Sequence, residues 1–205
     1  NGMIGYMHSD FFPKVLPEAV LGPVLQSPRY GGQLREYVRH LLKIDNLGWY
    51  DFSERRYWLC LLSADEIQRI IGYIGGICFS EQIRKIILSH ELLKLKGVIG
   101  NEAYLFALRS APLLLKSDIA ERFQVDGETI IERVLNTGKS IIEMSLAGVP
   151  KEIAQRFLLK FPRNFGWNFK RKVNDPHYYF DFIQKIIKWT FSGNGSAVIS
   201  MIVRA

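Results

Sequence analysis

Apolar residues recur at intervals of three and four positions along most of this chain, the spacing that places them on one face of an α-helix. The segments 34–42, 67–77 and 130–146 show such stripes, and charged residues fill the positions between the apolar ones in the first of them. No run of residues alternates apolar and polar positions with the period of two that is typical of a half-buried strand. The pattern therefore predicts an all-α protein, a compact single-domain bundle of roughly seven to nine helices.

The two ends of the chain are expected to be less regular than its middle. Four prolines interrupt the N-terminal part: Pro13, Pro17, Pro23 and Pro28. Because proline removes a backbone donor and clashes with the preceding turn, we expect an irregular segment there, with one short helix near 18–25. The Gly- and Ser-rich residues 192–196 predict a flexible or loosely packed tail. We therefore assign residues 1–191 to one helical domain and residues 192–205 to a tail.

Ser63 and Glu66 have the spacing of a capping box, in which the serine oxygen accepts a helix-start amide and the glutamate bonds back to the serine amide. A helix is expected to begin there. Gly72 and Gly76, four residues apart, remove side chains from one face of it, so another helix can approach closely. The adjacent pair formed by Gly75 and Gly76 is expected to weaken the centre of this helix.

The other helix boundaries are predicted by serine, glycine and proline. Ser80 begins the next helix, which we expect to end by Gly100. Its predicted buried side carries Ile83, Ile86, Ile87 and Leu93. Gly148 fits the position just past the end of a long helix that starts at 128, Pro150 fits the start of the next helix, and Pro176 opens the last one.

Composition places the chain among folded proteins, since 48% of its residues are hydrophobic and 23% are charged. The formal net charge is +7, which favours acidic partners such as nucleic acid, anionic lipid or an acidic protein surface. Cys60 and Cys78 form no CxxC pair, which suggests a reducing compartment such as the cytosol. The longest apolar stretch, near 67–79, is too short to cross a bilayer, and no basic region followed by an apolar run opens the chain, so neither a transmembrane helix nor a secretory signal is expected.

Three short segments resemble parts of catalytic or ligand-binding motifs, but the residues around them do not fit those motifs. His90-Glu91 begins like a zincin motif, but Lys94 stands where the second histidine ligand must be. Gly138-Lys139-Ser140 ends like a phosphate-binding loop, yet it lies inside a helical pattern, where we expect Gly138 to allow close helix packing. The Gly-Gly-Gln tripeptide that ends at Gln33 resembles that of peptide-release factors, but it directly precedes an amphipathic helix. We therefore expect no catalytic residue, no metal and no cofactor, and assign the chain no enzymatic activity.

Residues 160–172, the basic segment, alternate cations with aromatic rings. The rings are Phe161, Phe165, Trp167 and Phe169. One hypothesis is a nucleic-acid-binding helical protein, because cations contact phosphates while rings stack on bases. The other is a connector that buries its rings and leaves its charges in water, and any function of this surface would then be protein docking. The second hypothesis is the favoured one.

The segment 59–115 resembles the SctK family of type III secretion systems, the sorting-platform adaptors that include YscK, PscK, OrgA and MxiK. The residues that carry the resemblance are, in order, Leu62, Ser63 and Glu66; Ile74-Gly75-Gly76; Ile83-Arg84 with Ile87; His90-Glu91-Leu92; Ile99-Gly100 with Tyr104; Phe106-Ala107-Leu108-Arg109; and Ala111-Pro112. The N-terminal stretch and the region after 116 are similar to the family only in overall character.

The resemblance implies a non-enzymatic cytosolic adaptor, peripheral to the inner membrane at the base of the injectisome. Its partners would be the cytoplasmic domain of the inner-ring protein SctD and the pod protein SctQ, and through the pod the stator SctL and the ATPase SctN. It transfers no catalytic residues and no small-molecule substrate. From charge alone, we expect a docking patch formed by Lys160, Arg163, Lys170, Arg171 and Lys172.

Overall fold

The computed structural model describes residues 7–12, 18–42, 51–114, 119, 129–191 and 196–204. Its α-helices in chain order are α1 (Glu18–Gln26), α2 (Gly31–Leu41), α3 (Ala64–Cys78), α4 (Ser80–Arg84), α5 (Ser89–Ile99), α6 (Asn101–Leu114), α7 (Ile130–Ser145), α8 (Lys151–Leu158), α9 (Pro176–Thr190) and α10 (Ala197–Arg204). Short 3₁₀-helices lie at Ser9–Phe11, Arg55–Leu61 and Arg163–Phe165. The described ranges contain no strand, so the all-α prediction is confirmed.

These elements fall into two compact units. Unit 1 is drawn from Asn1–Asp51 and Pro150–Gly166, and unit 2 from Phe52–Val149 and Trp167–Ala205. The assignment of residues 1–191 to one domain, followed by a flexible tail, stays a prediction. Within the predicted tail, residues 192–195 and 205 lie outside the described ranges, whereas α10 is helical and buries Ile199 and Ile202.

Unit 1 pairs α1 with α2 and has a small apolar core. The buried members of this core are Met7, Val38 and Leu159, and the partly buried side chains packed against them are Phe11, Phe12, Leu34 and Leu42. The backbone N–H of His8 donates to the carbonyl oxygen of Leu159 at 2.7 Å. This bond ties the N-terminal residues to the end of α8 within the unit.

Unit 2 is built around α3, and every residue from 70 to 80 is buried. Helices α5, α6, α7 and α9 all pack against α3, and α9 also packs against α7 and α10. A helix that is apolar on nearly all sides needs neighbours on all sides to exclude water. The isoleucines of α3 therefore define the centre of this unit.

Two capping boxes set the starts of the central pair of helices. Ser63 Oγ accepts from the N–H of Glu66 at 3.2 Å, and the Glu66 carboxylate accepts from the N–H of Ser63 at 2.8 Å, as predicted for α3. Thr129 and Glu132 make the same reciprocal pair at the start of α7, at 3.2 and 2.9 Å. The sequence prediction placed the start of that helix at 128 and missed this second box.

Glycines let the helices of unit 2 approach one another closely. A methyl group added at Gly72 would lie 3.1 Å from the carbonyl oxygen of Ile99, and one added at Gly76 would lie 3.2 Å from the Ala107 methyl group. These contacts with α5 and α6 confirm the role predicted for both glycines. The helix continues through Gly75, where the missing side chain admits α7; that the glycine pair weakens the centre of α3 stays a prediction.

The predicted helix from Ser80 was wrong in its continuity and in part of its buried side: Ile83 is buried as predicted, but Ile87 and Leu93 are exposed. It divides into α4 and α5, with residues 86–88 in non-helical conformation between them. The break turns the buried face of α5 to Leu95 and Ile99 and leaves Ile87 93% and Leu93 68% exposed. A stripe extrapolated through one continuous helix fails here because the helical phase restarts at Ser89.

The remaining predicted boundaries agree with the structure. Gly148 has a positive φ of 72° just past α7, and Gly100 one of 88° just past α5, conformations that glycine adopts without strain. Pro150 precedes α8, and Pro176 occupies the first turn of α9. No helix within the described ranges has the length and apolar character that crossing a bilayer requires.

Candidate docking surfaces

The residues of the predicted docking patch are divided between the two units. Lys160 and Arg163 belong to unit 1, and Lys170, Arg171 and Lys172 belong to unit 2. The structure therefore places three consecutive cations together at one site of unit 2.

In unit 1, Arg163 presents its charge to solvent and Lys160 does not. Lys160 is only 7% exposed, and its Nζ lies 6.0 Å from the centre of the Phe157 ring. Arg163 is exposed, and its guanidinium lies 5.1 Å from the centre of the Phe11 ring. The backbone N–H of Arg163 donates to the carboxylate of Asp10 at 3.2 Å. Contacts with residues 10 and 11 thus hold this cation in place.

In unit 2, the three exposed cations follow a segment that is anchored to α7 by Glu143. The backbone N–H of Asn168 donates to Glu143 Oε1 at 2.8 Å, and the N–H of Lys170 donates to Asn168 Oδ1 at 3.2 Å. These bonds fix the backbone directly before Arg171 and Lys172. The buried carboxylate of Glu143 therefore anchors the backbone that leads into the three cations.

Burial raises the pKa of the Glu143 carboxyl above its ordinary value of 4.5. The Asn168 N–H and the charges of Lys139 and Arg171 oppose this shift without cancelling it. Lys139 lies one turn away, with Nζ 3.7 Å from Glu143 Oε1. The Glu143 carboxyl group therefore interacts electrostatically both with Lys139 on α7 and with the exposed Arg171.

Of the four aromatic residues of the basic segment, Phe161 is buried, and Phe165, Trp167 and Phe169 are partly buried. In unit 1, Phe161 is fully buried, and its ring centre lies 5.0 Å from that of Phe165. In unit 2, Trp167 stacks on Phe169 at 5.8 Å, and Nζ of Lys139 lies 5.9 Å from the centre of the Trp167 ring. Such packing is what we expect of the connector hypothesis, because rings that stack on bases must be open to solvent.

A groove of about 450 Å³ in unit 2 adjoins Arg171 and Lys172. Its lining consists of Met144, Arg171, Lys172, Val173, Asn174, Asp175, Tyr178 and Tyr179. Asp175 accepts a hydrogen bond from the N–H of Tyr178 at 3.2 Å and so caps α9. Cations beside tyrosine rings and an apolar floor suit a protein side that carries carboxylates and apolar groups.

Arg56 is a buried cation whose role no sequence pattern predicted. It is buried in unit 2, where its Nη1 donates to the carbonyl oxygens of Ser145 at 3.2 Å and Ala147 at 2.6 Å. Its guanidinium also lies 4.9 Å from the centre of the Tyr57 ring. Arg56 therefore caps the C-terminal end of α7 and joins it to the 3₁₀-helix Arg55–Leu61.

Groups that could take part in catalysis are dispersed or shielded in the part of the chain that the structure describes. There, no three His, Cys, Asp or Glu side chains come together as a metal site would require. Both cysteines are buried free thiols, and burial raises the pKa of Cys78 to about 12, so it stays protonated at neutral pH. His90, at the start of the zincin-like motif, is exposed on α5.

The described residues form an all-α protein with exposed cations beside a groove of unit 2. A family model described as "YOP proteins translocation protein K (YscK)" matches residues 4–185, and the chain belongs to this family. It is therefore a protein of a type III secretion system. The match extends well beyond the segment 59–115 in both directions. Searches of the curated proteins and of the solved structures returned no match.

Proposed function

We propose that this protein is a non-enzymatic cytosolic adaptor of the type III secretion sorting platform, peripheral to the inner membrane. It links the cytoplasmic domain of SctD to the pod protein SctQ, and through the pod to SctL and the ATPase SctN. The observation that carries the proposal is the family match over residues 4–185. An adaptor works through protein surfaces, and the exposed cations beside the groove of unit 2 supply one.

The docking surface of this proposal consists of Lys170, Arg171 and Lys172 in unit 2; Arg163, which is exposed in unit 1, is a separate cation of the patch expected from charge. Lys160 belongs to the patch expected from charge, but its burial assigns it to packing around Phe157. Exposed cations raise the rate of encounter with an acidic partner and select against basic ones. The partner face is accordingly acidic.

The test is a charge reversal at all three unit 2 cations: Lys170→Glu, Arg171→Glu and Lys172→Glu. Because each reversal replaces attraction by repulsion, we expect the affinity of the full chain for purified SctQ or for the SctD cytoplasmic domain to fall about tenfold or more. Binding is measured by calorimetry at fixed salt, since screening weakens such contacts. Circular dichroism checks that the fold is kept.

A matched control reverses three exposed cations elsewhere in unit 2: Arg109→Glu, Lys185→Glu and Lys188→Glu. Both triple variants change the net charge equally, so a loss confined to the first one locates the contact. Equal affinities for the two variants would remove the docking patch from the proposal. An absence of binding by the unaltered chain to either protein would contradict the adaptor function itself.

A further inference from the structure

The connector between α4 and α5 exposes apolar side chains that a folded protein usually buries. Ile87 is 93% exposed, and its neighbour Leu88 is also exposed. Two adjacent aliphatic side chains in contact with water carry a free-energy cost that is recovered when a partner covers them. These side chains are exposed because the helix is broken here: α4 ends at Arg84, and α5 begins at Ser89.

These side chains border a second groove of unit 2, of about 710 Å³, between the α4–α5 connector and the start of α7. Its apolar lining is supplied by Ile86, Ile87, Leu88, Ile130 and Ile131. The groove is large enough for a few side chains of a peptide segment.

The charges around the groove are mostly positive. Among the residues that the structure describes, Lys85, Lys94 and Arg133 line it, against one carboxylate, that of Glu91. Arg133 is held in the wall by its guanidinium, which lies 5.5 Å from the centre of the buried Phe79 ring. An aliphatic floor with a cationic rim is complementary to apolar side chains flanked by carboxylates.

We propose that this groove docks a segment of a protein partner in which apolar residues are flanked by Asp or Glu. The proposal rests on the adaptor function and adds to it a second docking site. Ile86, Ile130 and Ile131 are half-buried and line a groove, which an inserted peptide can fill, whereas a bilayer would cover only the projecting Ile87 and Leu88. Aliphatic side chains also offer no platform for stacked bases.

The two grooves of unit 2 lie towards opposite ends of α7. Thr129 and Ile130 line this one at the start of the helix, and Met144 lines the other near its end. Helix α7 has 16 residues and so is about 24 Å long at 1.5 Å per residue. Segments bound at both ends would be separated by about that length, which allows two partners to bind at once.

Photocrosslinking from position 87 tests the proposal in cells that make the secretion apparatus. The photoreactive residue p-benzoylphenylalanine replaces Ile87 in the full chain, and the crosslinked peptide is identified by mass spectrometry. We expect a segment of an apparatus protein with at least two carboxylates around its apolar residues. The paired change Lys85→Glu and Lys94→Glu should lower the adduct yield about tenfold. The control pair Lys185→Glu and Lys188→Glu should leave the adduct yield unchanged.

A second crosslinking position serves as the control for chance contacts. Leu113, on α6, is 72% exposed and lies outside the groove, so the photoreactive residue there should not capture the same segment. The proposal is overturned if position 87 yields no adduct, or an adduct with this chain itself, lipid, nucleic acid or a segment without carboxylates. It is also overturned if the reversals at Lys85 and Lys94 leave the yield unchanged.

The crosslinking and binding experiments distinguish failure of the groove proposal from failure of the proposed adaptor function. If the unaltered chain binds SctQ or the SctD domain while position 87 captures nothing, the groove proposal falls and the function stands. If position 87 captures an acidic segment of a protein outside the apparatus, and no apparatus protein binds, the groove stands and the function falls.

Discussion

Replacing Gly138 by alanine tests the helix crossing at the centre of unit 2. The added methyl group would overlap the carbonyl group of Ile71 on α3, just as one at Gly75 would overlap the carbonyl of Val134 on α7. A backbone carbonyl inside a helix cannot rotate away as a flexible side chain can. The two helices must therefore separate, and each loses contacts along the crossing.

The expected change in the free energy of unfolding for Gly138→Ala is the difference between two opposing effects. Overpacking a core costs about 1–3 kcal/mol, and the upper end applies where backbone must move. Alanine in place of glycine inside a helix returns up to about 1 kcal/mol through propensity. For Gly138→Ala we expect a net loss of about 2 kcal/mol, which lowers the Tm of a chain this size by about 4–8 °C.

The assay is thermal and urea unfolding followed by far-UV circular dichroism. Gly97→Ala is the matched control, because Gly97 also lies within a helix of unit 2 but an added methyl group meets no atom within 4 Å. Only the propensity effect remains there, so this variant should be as stable as the unaltered chain or up to about 1 kcal/mol more stable. If Gly138→Ala is stabilised like Gly97→Ala, the close crossing of α3 and α7 is wrong.

Two further predictions concern buried charges of unit 2. Arg56→Ala should lower the free energy of unfolding by about 2 kcal/mol or more, because it leaves the buried carbonyls of Ser145 and Ala147 without their donor; an unchanged urea midpoint would refute this. Glu143→Gln should alter the dependence of stability on pH. Since the folded pKa of Glu143 is raised, this residue contributes a gain in stability as the pH falls through that pKa towards 4.5. The glutamine side chain of the variant does not titrate, so its urea midpoints should lack this gain; equal pH slopes would contradict the assignment.

The helices of this fold could be predicted where local chemistry decides them. The capping box of Ser63 and Glu66 and the prolines that open α8 and α9 act through backbone geometry close in sequence. The helical pattern around Gly138 likewise indicates a packing residue, and the contact with α3 explains why. The break after α4 was missed because apolar periodicity alone does not distinguish one continuous helix from two with different phases.

The candidate surfaces were harder to predict than the helices. Lys160 has the same side chain as Lys170, but one is buried and the other exposed, and only the folded chain separates them. The exposure of Ile87 follows from the same missed break. Arg56 acts on carbonyls 89 and 91 residues away in sequence, a relationship that no local pattern encodes.

The adaptor function is tested most directly by recovering this protein with its partners from the native cell. The full chain serves as bait, the extract is treated with nuclease, and bound proteins are identified by mass spectrometry. The account predicts recovery of SctQ and of the inner-ring protein SctD in spite of nuclease, with a clear loss for the triple reversal at Lys170, Arg171 and Lys172. Absence of these proteins, or binding that disappears with the nucleic acid, would contradict it.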